Sequence, residues 1–189
     1  MSIIPVPSPT SGASSRRSVR VPLVLAAACS AAAALALAPT AHAVTPLTAT
    51  ATYDCGAWGS GLATLTAADS GTSKTIKITS TSIKMPPGTS ADPNSITTTL
   101  KLTKTSGGTS SQVQFSGKTN PGLSGGNPIT LGPLKLTSGT LAAGDTTNSA
   151  VLPGPPSATN WSLQIVTSSP TSATVQCVAT VNQSAPFVW

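Results

Sequence analysis

Residues 173–181 read ATVQCVATV, with Val175, Cys177, Ala179 and Val181 at every second position. A period of two is what a strand with one buried face requires, because successive side chains point to opposite sides of the sheet. Cys177 travels with the apolar set, so its sulfur belongs inside the domain.

The same rhythm recurs upstream. Thr48–Cys55 alternates Thr with Ala and ends in Tyr53, and Leu62–Thr66 follows Gly59-Ser60-Gly61. Thr75–Met85 keeps Ile76 and Ile78 in step but throws Ile83 out of register, which predicts a bulge or a break. Ser95–Thr103 puts Ile96, Leu100 and Leu102 on one face, and Gln112–Gly117 carries Val113 and Phe115. Leu134–Ser138 is short. Trp161–Thr167 aligns Trp161, Leu163 and Ile165, which makes Trp161 a core residue beside Cys177.

Turn clusters separate these runs: Pro86-Pro87-Gly88, Asp92-Pro93-Asn94, Ser106-Gly107-Gly108, Asn120-Pro121-Gly122 and Pro153-Gly154-Pro155-Pro156. No stretch after Ala43 shows a 3.6-residue apolar period. Roughly seven to nine short strands with one apolar face each describe an all-β, antiparallel β-sandwich. Residues 121–133 and 142–158 read as loops longer than the about 12 residues usual in a compact domain.

The first 43 residues have a different order of properties. Arg16, Arg17 and Arg20 are followed by an uncharged Ala/Leu run from Val21 to Ala38, then Pro39, then Ala41-His42-Ala43. A basic segment, an apolar segment and a small-x-small site make a cleavable export signal, with cleavage between Ala43 and Val44. The run approaches the minimum length for a membrane span, but Ala dominates it and a cleavage site follows directly. The reading is a signal peptide over 1–43, one domain over 44–189, a secreted location and no stable membrane span after cleavage. Ser15-Arg16-Arg17-Ser18 leaves the general and twin-arginine export routes both open.

Removing the signal changes the chemistry on offer. All the arginines, the one His (His42) and Cys29 leave with it. Seven lysines and four aspartates remain, with no Glu, for a net +3. Scattered lysines without Arg or interleaved aromatics exclude a nucleic-acid surface. Cys55 and Cys177 remain, one near each end of an exported domain, and they read as a structural disulfide.

Gly122-Leu123-Ser124-Gly125-Gly126 fits the spacing of a nucleophile loop, yet a serine hydroxyl needs a base and residues 44–189 contain no His. Four aspartates are too few for paired-carboxylate chemistry, and no His or Cys cluster suits zinc. Asp92 and Asp145 read as turn residues, since two oxygen ligands fall short of a calcium site. The expectation is no catalytic residue, no metal and no cofactor.

Aromatic side chains are the remaining means of contact. Tyr53, Phe115 and Trp161 lie in strands. Trp58 sits in Gly56-Ala57-Trp58-Gly59, a flexible turn where an exposed indole could stack on a sugar. Phe187 and Trp189 end the sequence in APFVW, as packing along the domain edge or as a partner-binding segment.

An Ala-rich signal, the Tyr53-Asp54-Cys55 strand end, Ser/Thr-rich β segments and a second Cys in the last strand together resemble small secreted actinobacterial proteins of uncharacterised function. That resemblance implies an exported Ig-like domain with no defined activity. The functional expectation is a non-enzymatic protein acting by surface contact with an extracellular macromolecule or an envelope component. The alternative is a carbohydrate- or small-ligand-binding module using Trp58 and its adjacent loops.

Overall fold

The computed structural model describes residues 43–189. The expected export signal therefore lies outside the described residues, apart from its last residue, Ala43. Ala43 is exposed and Val44 is buried, and Thr45 exchanges two backbone hydrogen bonds with Val188 (3.0 and 2.7 Å).

Among the described residues, all regular structure beyond one 3₁₀ turn at Gly56–Trp58 is strand: β1 Thr48–Asp54, β2 Ser60–Asp69, β3 Lys74–Lys84, β4 Ser90–Ala91, β5 Ile96–Ser106, β6 Thr109–Gly117, β7 Leu123–Ser124, β8 Pro128–Ser138, β9 Thr146–Ser149, β10 Leu163–Thr167, β11 Ala173–Ala179 and β12 Phe187–Val188. Twelve strands exceed the seven to nine expected, because four of them (β4, β7, β9, β12) have four residues or fewer and too little sequence to show a period.

The pairings between these strands are antiparallel, and the class is the expected β-sandwich. Hydrogen bonding runs in the order β10-β11-β1-β2-β3-β8-β6-β5, and β5 pairs back to β10. The ladder so returns on itself, leaving these eight strands without the open edges that invite aggregation. One edge of β5 is shared: Ile96–Leu100 face β10, and Leu102–Thr105 face β9. β9 in turn carries β12.

Alternation decides which side chains line the interior. Ala49, Ala51, Tyr53, Ala63, Leu65, Ile76, Ile78, Leu100, Leu102, Val113, Phe115, Leu131, Leu163, Ile165 and Cys177 are all buried. The break expected at Ile83 is present. Pairing between β3 and β8 shifts register between Ser80 and Lys84, and Ile83 is fully buried. The Ser80 hydroxyl holds the break by accepting from the Ile83 and Ser82 amides (3.0 and 3.2 Å) while donating to the Leu62 carbonyl (2.7 Å).

Three sequence readings need correction. Residues 121–133 and 142–158 contain β7, the first half of β8, and β9, so they are not simple loops. Ile129 and Leu131 alternate there, but Pro128, Gly132 and Pro133 mask the pattern. Gly132 has φ +97, and a Cβ on it would stand 2.8 Å from the Leu134 amide and 2.9 Å from the Ile76 carbonyl, so only glycine fits the bulge.

The last long strand ends at Ala179, and Val181 is 50% exposed. Beyond Ala179 the chain follows β1 through Thr180 N–H to Thr52 O (2.9 Å) and Ser184 N–H to Thr50 O (2.7 Å). Trp161 is only half-buried and precedes β10. Ser162 takes the fully buried position instead, its hydroxyl accepting from the Ala179 amide (2.7 Å).

Tyr53 is fully buried, and burial pushes its phenol from the ordinary 10.0 to about 12, with the Ser149 hydroxyl partly opposing. The folded state thus keeps a proton that the unfolded chain gives up at lower pH. Stability from this group is complete below pH 10 and lost as pH rises from about 10 towards 12. Tyr53 is the single tyrosine, so tyrosinate absorbance reads it alone. That signal should rise together with loss of the far-UV β signal, and a rise near pH 10 with the strands intact would contradict a sealed Tyr53.

Candidate functional site

The structure joins Cys55, which follows β1, to Cys177 in β11 across 122 residues of sequence. Both are buried. The disulfide sits where β1 and β11 share just two register pairs, Tyr53–Ala179 and Asp54–Val178, so it seals the weakest-paired seam of the closed ladder.

Trp58 does not have the exposure expected of it. It is 6% exposed, because its turn is fixed and not flexible. The Asp54 carboxylate accepts from the Gly56 amide (3.0 Å) and the Ser60 hydroxyl (2.8 Å), and the Cys55 amide donates to Gly59 O (3.0 Å). Those donors, the Gly56 amide first, hold the Asp54 carboxyl below its usual range. The turn packs against β11. Trp58 lines a cleft of about 240 Å³ with Pro156, Thr174 and Gln176.

Phe187 and Trp189 take the first of the two readings open for the terminal segment, packing along the domain edge, at 0% and 2% exposure. β12 pairs with β9, which turns Phe187 and Trp189 inward and Val188 outward. Trp189 stacks on Phe115 (5.6 Å between centroids), meets Phe187 edge-on (6.3 Å) and donates its indole N–H to the Thr147 hydroxyl (2.9 Å). Burial of an aromatic with its polar handle satisfied is a packing role. The aromatic left partly at the surface is Trp161, with the Lys101 ammonium 3.3 Å from its ring centroid. Its place in an apolar period hid this from the sequence reading.

Ser124 lies on the short pair β4–β7, exposed, with its carbonyl accepting from the Asn127 amide (3.0 Å). No strand-to-helix elbow presents its hydroxyl. Asp92 and Asp145 serve turns: Asp92 O accepts from the Ser95 hydroxyl (2.7 Å), and Asp145 accepts from the Ala142 amide (2.7 Å). Lys104 beside Asp145 (2.7 Å), with the Ser106 hydroxyl and that amide, draws its carboxyl down to about 2.

The outer face of β1, β2, β3 and β8 was not anticipated as a site. Thr50 pairs with Thr64, Thr64 with Thr79, and Thr79 with Thr130, so four threonines stand in one row across four strands. Thr48 and Thr66 form a second, shorter row. Leu62 lies beside them, 53% exposed, and a shallow cleft of about 240 Å³ runs between Leu62, Thr64, Thr79, Pro128 and Thr130. The signal was present in Thr48–Thr52 and Thr64-Leu65-Thr66, where Thr occupies the outward positions. Only the register between strands brings these pieces together.

Among the described residues no three His, Cys, Asp or Glu side chains gather as a metal site, and no helix is long and apolar enough to cross a membrane. Compared with protein-family models, curated proteins and solved structures, the chain matches none.

Proposed function

We propose that the chain acts after export as a non-enzymatic contact protein, in the cell envelope or the extracellular space, through the hydroxyl-covered face of β1, β2, β3 and β8. The observation that carries this reading is the in-register row Thr50–Thr64–Thr79–Thr130. Each threonine hydroxyl both donates and accepts, and its β-branch restricts χ1, so little rotamer freedom is lost on contact. Exposed Leu62 adds an apolar spot among them. Such a surface suits a polar polymer, with the exposed Lys77 opposite Thr66 as its nearest charge. The Cys55–Cys177 disulfide fits an oxidising compartment.

The test is co-sedimentation of the protein with isolated cell-envelope material. Leu62→Lys with Thr66→Lys places two charges on exposed positions of the face. The apparent affinity from a concentration series should fall about tenfold, a change of about 1.4 kcal/mol, with the unfolding midpoint unchanged. Equal retention of the double variant would remove the face from consideration.

A second reading, a carbohydrate- or small-ligand module, is favoured by the cleft at Trp58 and Pro156. Trp58 is only 6% exposed there. Tryptophan fluorescence that stays flat across oligosaccharides would eliminate it.

A further inference from the structure

We propose that the cleft where β3 and β8 part binds a small organic monoanion, a carboxylate on a short aliphatic chain. The cleft lies at the Thr75–Lys135 end of the β3–β8 pairing, beyond the Thr79–Thr130 pair, and does not rest on the contact reading above. β3 and β8 remain paired as far as Thr75 and Lys135. Beyond that pair the β2–β3 turn stands on one side and residues 139–141 on the other. They flank an open cleft of about 540 Å³, a volume within the roughly 300–1,000 Å³ typical of small-molecule sites.

The charges around this opening are unbalanced. Lys74 is bound to Asp69, and its side chain is 14% exposed. It lies 5.6 Å from the Trp189 ring centroid. Lys104 pairs with Asp145 and donates to the Thr140 carbonyl (2.9 Å) behind the cleft wall. Lys135 is exposed at the rim, and neither ion pair involves it. Three lysines against two aspartates leave one net positive charge, carried at the rim by Lys135. That single charge suits a monoanion, because the two ion pairs leave no second cation to meet another negative charge.

The remaining lining fixes the rest of the ligand. Leu136 and Leu141 supply an aliphatic wall, and Thr72, Ser73 and Thr140 supply hydroxyls. Both flanks are already ordered. Asp69 accepts from the Gly71 amide (2.8 Å), the Ser70 amide donates to Ser73 O (3.1 Å), and Asp145 anchors the Ala142 amide. A pre-organised cleft loses little entropy on binding.

The test is titration of the purified protein with sodium octanoate, followed by backbone amide shifts at Gly71, Ser73, Leu136 and Gly139. Octanol and inorganic phosphate serve as the uncharged and the chainless comparisons. Octanoate should give saturable shifts at these positions, and each comparison should bind at least about tenfold more weakly. Lys135→Gln, at an exposed position, should weaken octanoate about two- to fivefold. No saturable shift at tens of millimolar octanoate overturns the proposal, and so does octanol binding as tightly, or Lys135→Gln binding as wild type.

Discussion

Replacing Cys55 and Cys177 together by alanine should lower stability by about 5 kcal/mol at the upper limit, from the loop entropy the bond removes from the unfolded chain. The bridge spans 122 residues, so nearly the whole domain is inside the loop. Pairing is thin at that point, since β1 and β11 share two register pairs and beyond them the chain holds β1 through the Thr180 and Ser184 amides. The variant therefore loses both the cross-link and the closure of the ladder at its thinnest seam. A loss of this size is comparable to the roughly 5–15 kcal/mol net stability of an ordinary domain. Denaturant unfolding of wild type with and without reductant, beside the double variant, measures it. Hydrogen exchange should rise first at Tyr53, Asp54, Val178 and Ala179. Coincident unfolding midpoints in all three samples would show that the bond adds nothing.

Trp189→Ala should cost about 3–5 kcal/mol, the range for removing a buried large aromatic. The indole is 2% exposed, stacks on Phe115 and touches Phe187. Its loss also strips the Thr147 hydroxyl of its donor at a position only 1% exposed, and an orphaned buried polar group adds its own penalty. Val188, between the two aromatics, is 41% exposed, and Val188→Ala should stay within about 0.5 kcal/mol. Thermal or denaturant unfolding of the two variants separates a packed end segment from a free one. A small effect at Trp189 would return this segment to the role of a partner-binding tail.

Most of the long strands were legible because one face of each is buried. In β5, Ile96, Leu100 and Leu102 keep step over the run and announce both the strand and its inward side. In β8 the same pattern is interrupted by Gly132 and Pro133 at a bulge, and half of an 11-residue strand read as loop. β9 and β12 carried no readable period at all. They form because Leu102–Thr105 offers a free edge once β10 has ended, a condition set by strands distant in sequence.

The contact residues were the least legible part. Trp58, Phe187 and Trp189 were singled out because glycines or a terminal position surround them, which is a local signal for exposure. Their burial depends on where the neighbouring strands run. Asp54 pins the turn that seats Trp58, and β9 gives β12 the partner that turns Trp189 onto Phe115.

The sequence by itself determined the class of fold, the inward set of each long strand, the irregularity at Ile83 and the pairing of Cys55 with Cys177. These follow from period, composition and cysteine count, all carried by short stretches of chain. The tertiary structure decided the closed order of the strands, the Thr50–Thr64–Thr79–Thr130 row and the cleft between Lys74 and Lys135. Those depend on the register of one strand against another. A period of two states which face a residue takes but not which residue stands opposite.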